Sequence, residues 1–203
     1  MFTLGFKNVQ MRLIRSEKKY DIEQITVQYE RLSQTLLDMY SNGNLDYFRM
    51  ILNDNDQFGK VLKRIMLDHL LIRRCNAGIN KITICPDGTI YPCDSLVGLS
   101  ESVLGNINNT TWNRLLYEDA TVHNNSVCKA CDIKYLCGGD CYYNSYMKTK
   151  CKFLPDNEFC QIQRHIIHEA IALCYKMQQI NEERYDSFLK EVKIKNEYSE
   201  LFG

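Results

Sequence analysis

Residues 128–141 read CKACDIKYLCGGDC, four cysteines in fourteen positions of a 203-residue chain that carries ten. Sulfurs this close in sequence serve a disulfide framework, a structural zinc or an iron–sulfur cluster. Disulfides belong to oxidising compartments. The opening residues MFTLGFKNVQMRLIRSEKK show no charged start leading into a long apolar run and no small-residue cleavage site. No apolar stretch approaches the ~18 residues of a membrane span. These features place the chain in a reducing cytoplasm, where clustered cysteines mean metal.

A structural zinc wants four ligands, usually as two close pairs. Here one C-x2-C pair, Cys128 and Cys131, is followed by gaps of five and three residues to Cys137 and Cys141, and the next cysteines are Cys151 and Cys160. In two-cluster ferredoxins the last cysteine of a tight run ligates the other cluster. The irregular gaps and the reach to Cys160 fit that crossing logic better than a zinc ribbon. A buried apolar thiol is the ordinary role of a single cysteine, and it does not account for the run.

No cysteine precedes Cys75, and all ten lie between Cys75 and Cys174. That asymmetry divides the chain into 1–74, free of metal ligands, 75–177, the metal-binding part, and 178–203, a charged amphipathic helix. The chain is 45% hydrophobic and 25% charged with zero formal net charge, an ordinary globular balance. Zero net charge gives no global case for nucleic acid or membrane as a partner.

In the first part, Phe2, Leu4 and Phe6, then Val9, Met11 and Leu13, alternate as a strand. Ile22, Ile25, Tyr29, Leu32, Leu36 and Tyr40 follow helical steps. Asn42-Gly43 is a stop, and Asn44 caps a short helix carrying Leu45, Phe48 and Leu52. A third helix is predicted from Asp56 to Arg73, with His69 near its end as a surface or half-buried histidine. In the second part, KITICPDGTIYP forms a hairpin whose turn is Cys85-Pro86-Asp87-Gly88. Closing the turn on Cys85 and Gly88 sets Cys93 opposite Asn80. Cys85 then lies about 16 Å up the hairpin at ~3.3 Å per residue. A further helix, Gln161 to Met177, buries Ile162, Ile166, Ala170 and Leu173. Cys174 joins that stripe as a core thiol, and His165 and His168 sit on a solvated face.

Cys75, twelve residues, Gly88, four residues, Cys93, then C-x2-C-x5-C-x3-C and Cys160, resembles the SPASM domain of radical S-adenosylmethionine enzymes that mature peptides and proteins. The flanking PDGTIYPCDSLVG and LGNI resemble the branch that modifies ribosomal peptides, thioether-forming maturases included. The resemblance implies an α+β fold: a remnant of a partial α/β barrel in 1–74, then a hairpin, cysteine-rich loops and C-terminal helices. It implies two 4Fe–4S clusters. One is held by Cys75, Cys93 and Cys141, its fourth position left open or taken by Cys151; the other by Cys128, Cys131, Cys137 and Cys160. It implies a peptide or protein substrate.

The family's C-x3-C-x2-C motif, which holds the cluster that cleaves S-adenosylmethionine, is not in this sequence. The resemblance therefore implies that this chain alone does not cleave S-adenosylmethionine, and that the missing barrel lies in the same gene or in a separate chain. Two functions stay open: the iron–sulfur part of a peptide maturase, or a stand-alone iron–sulfur module for electron transfer or peptide binding. A zinc module is a third. No residue is assigned a catalytic role. Asp94, Asp132 and Asp140, beside cysteines, read as turn-formers or hydrogen-bond partners of metal loops. Trp112 and the tyrosines read as packing that excludes solvent from the clusters.

Overall fold

The computed structural model of the chain describes residues 6, 8–14, 18–109 and 112–202, with side chains to Glu197. The chain divides into two compact units, Met1–Leu70 with Cys160–Gly203, and Leu71–Phe159. The fold is α+β: helices and one small antiparallel sheet. Among the described residues no helix is long and apolar enough to cross a membrane.

The first unit is helical. α1 (Ile22–Ser41) starts where the Asp21 side chain accepts the N–H of Gln24, and it buries Tyr29, Ser33, Leu36 and Tyr40. It stops at Gly43, whose φ of +78° suits glycine. α2 (Asp46–Ile51) follows, and Asn44 Oδ1 accepts the N–H of Asp46 at 2.9 Å. α3 spans Gly59–Met66, shorter than the helix predicted from Asp56 to Arg73. Asp56 caps it from outside, and Asp68, with φ +52°, turns the chain before Leu70 and Ile72. The 2–13 alternation lies partly outside the described residues. Residues 8–14 join no strand; instead Met11 exchanges backbone and side-chain bonds with Asp56 and Gln57.

The same unit takes Cys160–Ile180 of α8 (Asn157–Ile180) and all of α9 (Glu182–Phe202). Ile162, Ile166, Ala170, Leu173, Cys174 and Met177 are buried. Phe188 of α9 meets Phe48 edge-on with ring centroids 5.6 Å apart, and Phe48 meets Tyr40 in turn. Arg49 on α2 holds both carboxylate oxygens of Glu191 at 3.0 Å. That hydrogen-bonded pair brings the Glu191 carboxyl down to about 2 from its ordinary 4.5. A depressed folded value means stability that is present above pH 4.5 and is lost as pH falls through about 2. Glu191→Gln is expected to flatten that acid limb in a pH series of urea melts, at a surface-pair cost of about 0.2–1 kcal/mol at neutral pH.

In the second unit, β1 (Thr83–Ile84), β2 (Thr89–Tyr91) and β3 (Gly105–Asn106) pair antiparallel in that order. Among the described residues the short helices α4 (Leu115–Glu118), α5 (Ser126–Lys129), α6 (Lys134–Cys137) and α7 (Tyr142–Thr149) follow. The turn closes as expected, with the Gly88 N–H donating to Cys85 O, but Cys85 N–H also donates to Thr89 O. Gly88, at φ +80°, is therefore an extra bulged residue. The register becomes Thr83 with Tyr91 and Ile84 with Ile90, one residue off the expected pairing. Cys93 would face Lys81, not Asn80. Ile90, Leu96, Leu104, Ala77, Tyr117 and Tyr142 form the core of this unit.

Candidate metal centre

Seven cysteines are candidates, and all but Cys160 lie in the second unit, with Cys93 near Cys141 and Cys128 near Cys131 and Cys137. Cys75 follows a stretch anchored on both sides, since Leu71 N–H donates to Tyr135 O at 2.7 Å and Val122 N–H to Ile72 O at 2.8 Å. Cys93 ends the hairpin in extended backbone, just before a short 3-10 turn over Asp94–Leu96. Cys141 caps α7. Cys93 and Cys141 are close enough that a charge on one is felt by the other. Cys75 and Cys141 both act on Tyr142, and Cys93 acts on Tyr117. Tyr117, Tyr142 and Phe153 stand edge-on to one another with centroids 5.2–5.5 Å apart, an apolar wall beside these three thiols.

The other neighbourhood holds Cys128, Cys131 and Cys137. Asn125 caps α5 by accepting the N–H groups of Val127 and Cys128, which fixes Cys128 on the first turn. Cys131 follows one turn later, its N–H on Cys128 O at 2.9 Å. Cys137 ends α6, where Gly138 (φ +72°) breaks the helix. Burial pushes the Cys128 thiol up to about 11, and Cys137 and Cys131 add to the shift. Burial also raises Cys137, against the nearby Arg74 charge.

Gly138 does more than turn the chain. A Cβ there would stand 2.8 Å from Arg73 O and 3.1 Å from Arg74 N. The backbone leading to Cys75 thus lies directly on the backbone between Cys137 and Cys141. Asp140 is buried between them, accepting from Cys141 N–H at 2.7 Å and Asn144 Nδ2 at 2.9 Å. A cavity of about 340 Å³ opens here, with Arg74, Cys128, Gly138, Gly139, Asp140 and Lys152 in its lining.

The remaining candidates fall elsewhere. Cys160 lies in the first unit, half-buried in α8. Cys85 faces Thr89 in the hairpin, and Cys151 is exposed after Lys150, whose φ is +58°. Asp94 makes an exposed ion pair with Lys81 at 3.8 Å, and Asp132 sits 3.7 Å from Cys131 Sγ. Trp112 is exposed at 38%, with its indole N–H on Asn109 O, so it is not part of the apolar wall. His165 pairs with Glu30 at 3.4 Å. Sequence reasoning missed Arg74 and the Tyr117–Phe153 contact, both products of long-range packing that leaves no local pattern.

An all-thiol donor set suits a soft metal centre, iron–sulfur or zinc. Among the described residues no three His, Cys, Asp or Glu side chains are gathered closely enough to hold a single metal ion. Burial favours the protonated form of Cys93, Cys128 and Cys137, and coordination deprotonates such a thiol outright.

Residues 75–132 match the SPASM family, an iron–sulfur cluster-binding domain. No curated protein matches the chain. Among solved structures it is similar to the one titled "Native anSMEcpe with bound AdoMet and Kp18Cys peptide", at 23% sequence identity and a TM-score of 0.47, over 89% of this chain and 52% of that one. The chain thus spans about half the length of that protein.

Proposed function

We propose that this chain is the iron–sulfur-binding part of a radical S-adenosylmethionine enzyme that modifies a peptide or protein in the cytoplasm. The observation that carries it is the SPASM match over 75–132, which begins on Cys75 and takes in Cys93, Cys128 and Cys131. Two 4Fe–4S clusters would be held by Cys75, Cys93 and Cys141, and by Cys128, Cys131, Cys137 and Cys160. When bound, such clusters supply one-electron transfer and an anchoring point for substrate. The chain's own residues hold and shield them. Tyr117 and Tyr142 keep water from Cys93 and Cys141, and the Asn125 cap and Gly138 set the thiols of the tight run. S-adenosylmethionine cleavage belongs to the remainder of such an enzyme, in the same polypeptide or a separate chain.

The test is anaerobic reconstitution with iron and sulfide quantified. About eight irons per chain are expected, from two cubanes. Cys93→Ala should lower the iron content, whereas Cys85→Ala and Cys151→Ala should leave it unchanged. The first of these cysteines faces Thr89 in the hairpin and the second is exposed beyond α7. In this reading the Cys75 cluster keeps one iron open to a cysteine of the peptide substrate. Loss of iron in Cys151→Ala would close that position and end the substrate-ligation reading. One zinc and no sulfide in the wild type would end the cluster reading altogether.

A further inference from the structure

Arg74 is the residue that joins the two cysteine neighbourhoods. Its backbone precedes Cys75 and rests on Gly138. Its guanidinium reaches the other way: Nη1 donates to Cys137 O at 3.2 Å, and Cζ lies 5.5 Å from the centre of the Phe159 ring. The same side chain lines the cavity beside Cys128, together with Gly138, Gly139 and Asp140. The buried carboxylate of Asp140, in the same cavity lining, accepts from the N–H groups of Cys141 and Asp156 and from the Asn144 amide, and it feels the Arg74 charge while itself acting against Cys128 and Cys137. The guanidinium is planar, permanently charged and weakly hydrated, which suits it to a half-buried position. At an effective dielectric near 20 a charge at such range is worth several-fold to many-fold in an equilibrium constant.

We propose that Arg74 is a positioning residue that raises the reduction potential of the cluster ligated by Cys137, through its fixed positive charge against that residue's backbone and thiolate. The inference rests on the cluster reading above and goes beyond it, because nothing in a ligand set specifies which cluster is reduced first. A positive charge beside a cluster favours the form carrying one more electron. Arg74 therefore raises the potential of the Cys128–Cys131–Cys137 cluster above what the same ligands would set without it.

The experiment is an EPR-monitored titration of anaerobically reconstituted full chain with dithionite as reductant. The titration adds one electron per couple, with no bond made or broken and no proton transferred. Wild type, Arg74→Gln and Arg74→Lys are compared, each with its iron content measured. Arg74→Gln is expected to keep the iron and to lower the reduced-to-oxidised ratio of one of the two signals about tenfold at the wild-type midpoint, which is about 59 mV for a one-electron couple. Arg74→Lys keeps the charge without the fork, and its ratio should stay within about threefold of wild type. An unchanged ratio in Arg74→Gln overturns the proposal, as does a fall in Arg74→Lys as large as that in Arg74→Gln. If Arg74→Gln fails to take up iron, Arg74→Lys decides: a wild-type ratio supports the proposal and a lowered one overturns it. Both variants failing to load while still folded also overturns it, since Arg74 would then act in assembly. Wild type that takes up no iron fells the cluster reading itself, a result distinct from any of these.

Discussion

Gly138→Ala is expected to cost about 3 kcal/mol and to strip iron from the reconstituted protein, while Gly139→Ala keeps most of both. The two glycines are adjacent and both have positive φ, +72° and +94°. An alanine in that region pays about 1–2 kcal/mol wherever it sits. Only at Gly138 does the new methyl also meet backbone, 2.8 Å from Arg73 O, and a backbone neighbour does not swing aside as a side chain would. At Gly139 nothing stands within 4 Å. The clash would push the Cys75 backbone away from the Cys137–Cys141 loop, so both proposed ligand sets lose their spacing. Iron content and hydrogen exchange at residues 73–74 and 137–141 read the effect. Equal losses in the two variants would show that conformational strain alone matters and that the backbone stacking does not.

Asp56→Ala is expected to destabilise the helical unit by about 3 kcal/mol, because it strands three backbone donors at once. Oδ2 accepts the N–H of Met11 at 2.7 Å, and Oδ1 accepts those of Phe58 at 2.9 Å and Gly59 at 2.6 Å. Asp56 is fully buried, so no water replaces the lost acceptor. Asp56→Asn should not rescue it, since its amide would point N–H at N–H on one side. Burial raises the Asp56 carboxyl above its ordinary 3.8, and the Gly59, Met11 and Phe58 N–H groups only partly oppose this. The folded state therefore holds the proton more tightly than the unfolded chain. That contribution is complete below pH 3.8 and is lost as pH rises through the folded value. Urea melts followed by helical circular dichroism across that range should show this slope in wild type and lack it in Asp56→Ala.

Each feature of the fold leaves its own kind of signal in the sequence. The cysteine spacing was readable as a pattern because ligand chemistry depends on residue type, and the structure keeps Cys93 near Cys141 and Cys128 near Cys131 and Cys137. α1 was readable from its stripe, since Tyr29, Leu36 and Tyr40 are all buried. The hairpin was readable as an element but misread by one residue, because the bulge at Gly88 depends on a backbone angle that composition does not encode. α3 stops at Met66, short of its apolar rhythm, for a related reason. Leu70 and Ile72 keep the apolar rhythm, yet they are 65% and 50% exposed beyond the left-handed turn at Asp68. Alternation in residues 8–14 suggested a strand, and the backbone found its partners in the Asn53–Gln57 turn instead. Arg74 left no signal at all, because its role comes from a contact with a residue sixty-three positions away.

The unequal burial of the ten thiols turns the chain into its own accessibility gauge. Alkylation needs a thiolate that reagent can reach. Cys151 is exposed, Cys85 is half-buried, and neither belongs to a proposed ligand set. Cys174 is buried on α8 and shares a hydrogen bond with Tyr185, and burial pushes it up to about 11. Maleimide added to loaded protein should therefore mark Cys151 first and Cys85 more slowly. Ligated sulfurs would join the count when iron leaves, and Cys174 only when the helices come apart. A mass spectrum of the labelled chain then separates demetallation from unfolding in a single tube, without any engineered reporter.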